Sequence, residues 1–118
     1  MTLKKVVELI DGRMLTGDDS LRTTVSAGCG CDLMSDVLSF AKSGSLLLTG
    51  LNNLQVIRTA EMAEIKAICF VRGKTPTLEM TEMAREKGIA LLETKLPLFE
   101  SCGRLYQGGL VGCSIQID

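Results

Sequence analysis

Residues 45–97 read SLLLTG LNNLQVIRTAEMAEI KAICFVRGK TPTLEMTEMAREKG IALLETKLP. Three short apolar runs, 46–49, 67–71 and 89–92, alternate with two segments patterned for helix. Each run ends in small or polar turn residues: Thr49-Gly50, Arg72-Gly73-Lys74, and Thr94-Lys95. Short runs that are apolar throughout suit strands covered on both faces, and alternation with helices suits parallel strands joined by crossovers. The helical segments carry start and stop signals. Asn52 or Asn53 precedes the segment holding Leu54, Ile57, Glu61 and Met62. Thr75 with Pro76 opens the next segment, whose packed face is read as Leu78, Met83 and Ala84, and Gly88 closes it.

Working outward, Thr2 caps a first helix with Leu3, Val6, Val7 and Ile10 on one face and Gly12 beyond it. A short strand over 13–15 follows, then a polar turn at Gly17, Asp18, Asp19 and Ser20, then a β-branched strand over 22–27. Asp18 and Asp19 lack a third oxygen ligand at a recognisable spacing, so they read as a solvated turn. Asp32 is placed as the N-cap of a helix packing Leu33, Val37, Leu38 and Ala41. On the other side, Pro97 opens a helix with Leu98, Phe99, Cys102, Leu105 and Tyr106 in a stripe. Alternating Val111, Cys113, Ile115 and Ile117 then predict a last strand, suited to a sheet edge or to another subunit.

The chain has 118 residues, 46% of them apolar and 23% charged, with a net charge of -1. That is enough chain for one domain over 1–118 with a real core. It gives no bulk electrostatic case for nucleic acid or an anionic membrane. No run approaches a membrane span, and residues 1–11 do not form a secretory signal. His is absent, which removes His-based triads and His metal ligands. No GxxxxGK[ST] phosphate loop occurs.

The five Cys (Cys29, Cys31, Cys69, Cys102, Cys113) make an odd set that fits a reducing cytoplasm. Cys69 and Cys102 read as small core residues. Cys29 and Cys31 in Gly28-Cys29-Gly30-Cys31-Asp32 are close enough in sequence to share a metal or an iron–sulfur centre, or to act as a redox pair. Placed at a helix N-terminus, their thiols would ionise readily. An enzyme would have to use Cys29 or Cys31 with Asp32, Asp36 or Glu93, and a carboxylate beside a thiol suppresses its ionisation.

In an open parallel sheet, ligands gather outside the carboxyl ends of the strands. Those ends supply Thr49, Gly50, Arg72, Gly73, Lys74, Thr94 and Lys95. Helix N-termini and cations there favour a small anion, with Arg72 able to make a forked phosphate contact and Lys74 and Lys95 adding point charges.

The series Leu48-Thr49-Gly50, Gln55 through Ala60, Ala67 through Gly73, Thr94-Lys95 and Leu98 through Gly103 resembles the DRTGG domain over nearly the whole chain. The name-giving Asp-Arg-Thr-Gly-Gly run is absent, and Arg72-Gly73-Lys74 stands nearest to its glycine pair. The N-terminal domain of HPr kinase/phosphorylase is similar too. The resemblance implies a compact three-layer α/β sandwich with a mostly parallel sheet and flanking helices. It also implies a non-catalytic, cytoplasmic, regulatory module that senses a nucleotide or other small anion, without a cofactor. Homodimerisation follows from the resemblance, the apolar tail and the apolar composition together. The alternative reading is a redox or iron–sulfur accessory protein using Cys29 and Cys31, since stand-alone members of this family are associated with hydrogenase-type systems; either role allows a protein partner.

Overall fold

The computed structural model describes residues 1–16 and 18–114. The chain runs α1 (Leu3–Leu9), β1 (Arg13–Met14), a 3₁₀ turn (Asp18–Arg22), β2 (Gly28–Gly30), α2 (Met34–Phe40) and β3 (Leu46–Thr49). It continues with α3 (Leu54–Met62), β4 (Ala67–Phe70), α4 (Leu78–Lys87), β5 (Ala90–Glu93) and α5 (Leu98–Gln107). The strands form one sheet in the order β1-β5-β4-β3-β2. The β2, β3, β4 and β5 neighbours are parallel, and β1 lies antiparallel on β5 with Arg13 opposite Glu93.

The three layers follow from side-chain alternation. Leu46, Leu48, Ala67, Cys69, Ala90 and Leu92 point to one face, where α1 adds Leu3 and Val6, its C-cap Ile10 packs beside them, and α5 adds Leu105. Leu47, Ile68, Phe70 and Leu91 point to the other, where α2, α3 and α4 contribute Val37, Ile57, Met80 and Ala84 among others. Every residue of β3 and β4 is therefore buried, which accounts for their uninterrupted apolar runs. Fully burying one such side chain contributes about 1.5–3 kcal/mol, so the sheet's centre dominates the stability.

Several local expectations are corrected. The β-branched segment 22–27 is not a strand: the 3₁₀ turn takes up Arg22, and only Thr24 bridges, to Thr2. The edge strand is instead the glycine-rich β2. Glycine has poor strand propensity, but α5 packs against this strand so closely that a Cβ on Gly30 would stand 2.6 Å from Cys102 Sγ. The helix after it starts at Met34 with Leu33 in the cap position, and no side chain caps it. Leu33 and Leu38 are exposed rather than packed. Thr77, not Thr75, caps α4 by accepting from the Met80 amide at 3.2 Å, and Leu78 faces out. Phe99 and Tyr106 of the α5 stripe are also exposed, at 84% and 73%. In the tail, Gly112 bridges Gly28 in parallel, which lays that segment along the β2 edge; Ile115 and Ile117 lie outside the described residues. No helix among the described residues is long and apolar enough to cross a membrane.

Candidate functional site

The path of the chain creates a crevice. The connections from β2 to β3, β3 to β4 and β4 to β5 carry α2, α3 and α4 on the same face. After β5 the chain crosses to the opposite face to form α5. The loops leaving β4 and β5 thus lead to helices on opposite faces, and a concavity lies at the carboxyl end of β5, between these two loops and the α1–β1 connection. This is the position at which open α/β sheets bind ligands.

A cavity of about 800 Å³ lies there, lined by Gly73 and Thr75 from the first loop and by Glu93, Thr94, Lys95 and Leu96 from the second, with Asp11 and Arg13 across from them. Backbone bonds tie its rim. The Arg72 amide donates to the Leu96 carbonyl at 2.9 Å and the Gly73 amide to the Thr94 carbonyl at 3.0 Å. To make these bonds Arg72 and Gly73 adopt left-handed φ values of 57° and 71°. Glycine takes this conformation freely, whereas arginine does so at a steric cost. Thr94 is buried, and its hydroxyl donates to the Ile10 carbonyl at 2.7 Å, which anchors the second loop on α1.

Charges are unevenly committed around the cavity. Arg13 forms an ion pair with Glu93, its Nε donating to Oε1 at 3.0 Å and its Nη2 to the same oxygen. Asp11 faces Arg104 at 3.4 Å. Lys95 is exposed and makes no ion pair among the described residues. Arg72 and Lys74 sit on the same exposed turn as Gly73 but do not line the cavity.

Of the seven residues singled out in the sequence, Gly73, Thr94 and Lys95 converge here. Thr49 and Gly50 do not. They lie at the end of β3, where Asp32 Oδ1 accepts from both the Thr49 hydroxyl and the Gly50 amide at 2.8 Å. The carboxylate that the sequence assigned to helix capping is thus the chain's own anion at this strand end. Thr75, Arg13, Asp11 and Glu93 were missed as crevice residues. The Thr75 turn signal and the place of Glu93 at the end of the third strand could have pointed to two of them; Asp11 and Arg13 reach the site through the β1–β5 pairing.

The cysteines are arranged differently from the sequence expectation. Cys29 is the middle residue of β2, and Cys31 follows the strand; neither sits at a helix start. Burial, then the nearby Cys113, pushes the Cys29 thiol up to about 11. Cys69 is pushed up to about 12, chiefly by burial. Burial also raises Cys102. Among the described residues no group of three His, Cys, Asp or Glu side chains is placed to hold a metal ion.

A second concavity, about 710 Å³ and mostly apolar, runs between α5 and the β2 edge, with Gly28, Gly30 and Cys102 in its floor and Phe99, Tyr106 and Val111 at its rim.

No protein-family profile matches the chain, and no curated protein matches it. Among solved structures it is similar to the crystal structure of the CBS and DRTGG domains of the regulatory region of Clostridium perfringens pyrophosphatase, complexed with its activator diadenosine tetraphosphate. The TM-score is 0.77 at 14% identity over 99% of this chain. The chain spans about half of that one, 51% of its length. At this identity the likeness concerns the fold.

Proposed function

We propose that this chain is a regulatory module without catalysis of its own, and that it senses a nucleotide or other small anion in the crevice between the ends of β4 and β5. The observation that carries the reading is the crossing of α5 to the opposite face, which opens a cavity at the switch in helix placement and leaves the Lys95 ammonium beside it. A ligand phosphate there would meet Lys95, and Arg13, 73% exposed and paired with Glu93, lines the same cavity. The fold likeness to a nucleotide-activated regulatory region supports the same direction.

Homodimerisation belongs to this reading. The surface that favours it is the α5 groove, where two exposed aromatic side chains and Val111 border an apolar concavity. A soluble, cytoplasmic setting and action through a larger regulatory partner complete the proposal.

The reading is tested by thermal shift with ATP, diadenosine tetraphosphate and tripolyphosphate. At ligand concentrations of about 100 times Kd the midpoint should rise by the equivalent of about 2.7 kcal/mol, and Lys95→Ala should lose most of the rise. No stabilisation by any of the three would overturn the ligand site.

A further inference from the structure

Four of the five cysteines lie around the β2 edge, and the topology sorts them by face. Cys29 and Cys31 pack toward the core that α2, α3 and α4 cover. Cys102 packs on the opposite face, and Cys69 is fully buried at the sheet's centre. Cys113 lies on the segment beyond α5, where Gly112 bridges Gly28 in parallel and the Gly28 amide donates to the Val111 carbonyl at 2.8 Å. The residues that follow the two bridge partners are Cys29 on β2 and Cys113 on the tail. Residues side by side in parallel register point to the same face. The contacts of Cys113 agree. Its Sγ accepts from the Lys42 amide at 3.4 Å and stands 3.3 Å from Ser45 Oγ, both on the connection that follows α2.

Adjacent strands lie about 4.8 Å apart, inside the Cα separation of about 4.4–6.8 Å that a disulfide spans. The Cβ atoms must close to about 3.8 Å, a shift of about an ångström, and the tail is joined to β2 at one bridge. Cys31 is a poorer partner for Cys29. Two residues along a strand are about 6.6 Å apart, with Cβ atoms no closer, and Cys31 Sγ is turned to the Leu33 carbonyl at 3.4 Å. We propose that Cys29 and Cys113 form a dithiol/disulfide site, oxidised by exchange with a small disulfide of the glutathione class, and that the bond latches the tail to the β2 edge. Both residues are partly exposed. The Cys113 thiolate attacks one sulfur of the small disulfide and releases a small thiol, which takes up the proton that Cys113 lost. The Cys29 thiolate then attacks Cys113 Sγ in the mixed disulfide and expels the second small thiol, which takes up the Cys29 proton. Two protein thiols are oxidised and one small disulfide is reduced to two thiols. The order follows from the Cys29 thiol, pushed up to about 11 chiefly by burial and then by Cys113. Once Cys113 is capped it bears no charge, and that second contribution is gone. Val111 sits on the latched segment and at the rim of the α5 groove, so the bond also fixes one wall of that groove. The site is separate from the anion crevice, which lies toward the β1 edge of the sheet.

The test is incubation of the full chain with oxidised and reduced glutathione, followed by alkylation, tryptic digestion and mass spectrometry. Cys29 and Cys31 share the fragment 23–42, and Cys113 falls in 105–118. These two fragments should be joined within a monomer, with sequence ions between residues 29 and 31 placing the bond on Cys29. Cys31→Ser should keep the link, and Cys29→Ser and Cys113→Ser should lose it. The link closes most of the chain into one loop, so the melting midpoint should rise by roughly 10 °C, and dithiothreitol should reverse the rise. Oxidation of the chain unfolded in urea should scatter links over all five thiols. The mapping on the parent needs no variant, so a poorly folded Cys29→Ser would not spare the proposal. Glutathione adducts alone, a Cys29–Cys31 link, a Cys31–Cys113 link or Cys113–Cys113 dimers in the folded parent would overturn it. So would a Cys29–Cys113 link that forms as readily in urea. A link that leaves the midpoint unchanged would overturn the latch.

Discussion

The ends of β3 and of the β4–β5 pair offer the same materials: a buried threonine, a turn and the start of a helix. They are used in opposite ways. At β3, the Thr49 hydroxyl and Gly50 amide are both taken by Asp32. At β4–β5, the turn amides bind the neighbouring loop, Thr94 anchors to α1, and a cavity remains with Lys95 beside it. The difference is topological. Helices α2 and α3 pack on the same face of the sheet, so the loops before them stay together and a single carboxylate can bridge them. Helices α4 and α5 lie on opposite faces; their loops are tied by backbone bonds, and a concavity remains beside the end of β5. In this chain a concavity remains at the strand end whose following helices part.

Breaking the closed end should give the largest effect. Asp32→Ala strips the acceptor from the buried Thr49 hydroxyl and from Gly50, and should cost about 2 kcal/mol in urea denaturation, given the worth of hydrogen bonds to charged groups. Asp32→Asn keeps one acceptor and should cost less than half of that. If the β3 end is closed only by its own carboxylate, sulfate should recover more stability in Asp32→Ala than in the parent.

At the open end, Lys95→Ala should leave stability within about 0.5 kcal/mol of the parent, as expected for an exposed side chain. It should weaken nucleotide binding roughly tenfold, the scale of one lost charge-assisted contact. A large loss of stability with unchanged binding would mean that the crevice is structural.

The crevice should also stop at Glu93. Cys69, paired in register with Leu92 one position further in, is fully buried. The folded chain keeps its thiol protonated to about pH 12, whereas the unfolded chain ionises it near the ordinary value of 9.0. The unfolded state therefore loses its proton first, and stability is full below pH 9 and declines as pH rises toward 12. The loss from Cys69 by pH 10 should be roughly 1 kcal/mol, so Cys69→Ala should show a smaller alkaline fall in denaturation midpoint than the parent, the remainder coming from Cys29 and Cys102. The smallest effect is expected from Arg72→Ala. Its side chain does not line the cavity, so nucleotide affinity should change less than about threefold, as for a screened surface charge.

The central strands were legible because burial on both faces demands apolar residues at every position, and 46–49, 67–71 and 89–92 satisfy that demand locally. The edge strand was not. Gly28 and Gly30 contradict strand propensity, and their reason lies far along the chain, in the close approach of Leu110 to Gly28 and of Cys102 to Gly30. Asp32 has the right chemistry for a helix cap, yet the Thr49 hydroxyl and Gly50 amide give its carboxylate two donors across the sheet. The candidate site divides in the same way. Gly73, Thr94 and Lys95 follow from the rule that ligands collect at strand ends. Which strand ends remain open depends on the face that α5 chooses. Its stripe was visible in sequence, but a stripe does not say which side of the sheet it covers, and Phe99 and Tyr106 are turned outward.

The most direct measurement is an amide-resolved NMR titration of the chain with ATP. The account predicts shifts confined to Gly73, Thr75, Glu93, Thr94 and Lys95, with Gly50 and Leu51 unmoved. Shifts centred on Asp32 and Gly50, or no shifts at the β4–β5 end, would contradict it.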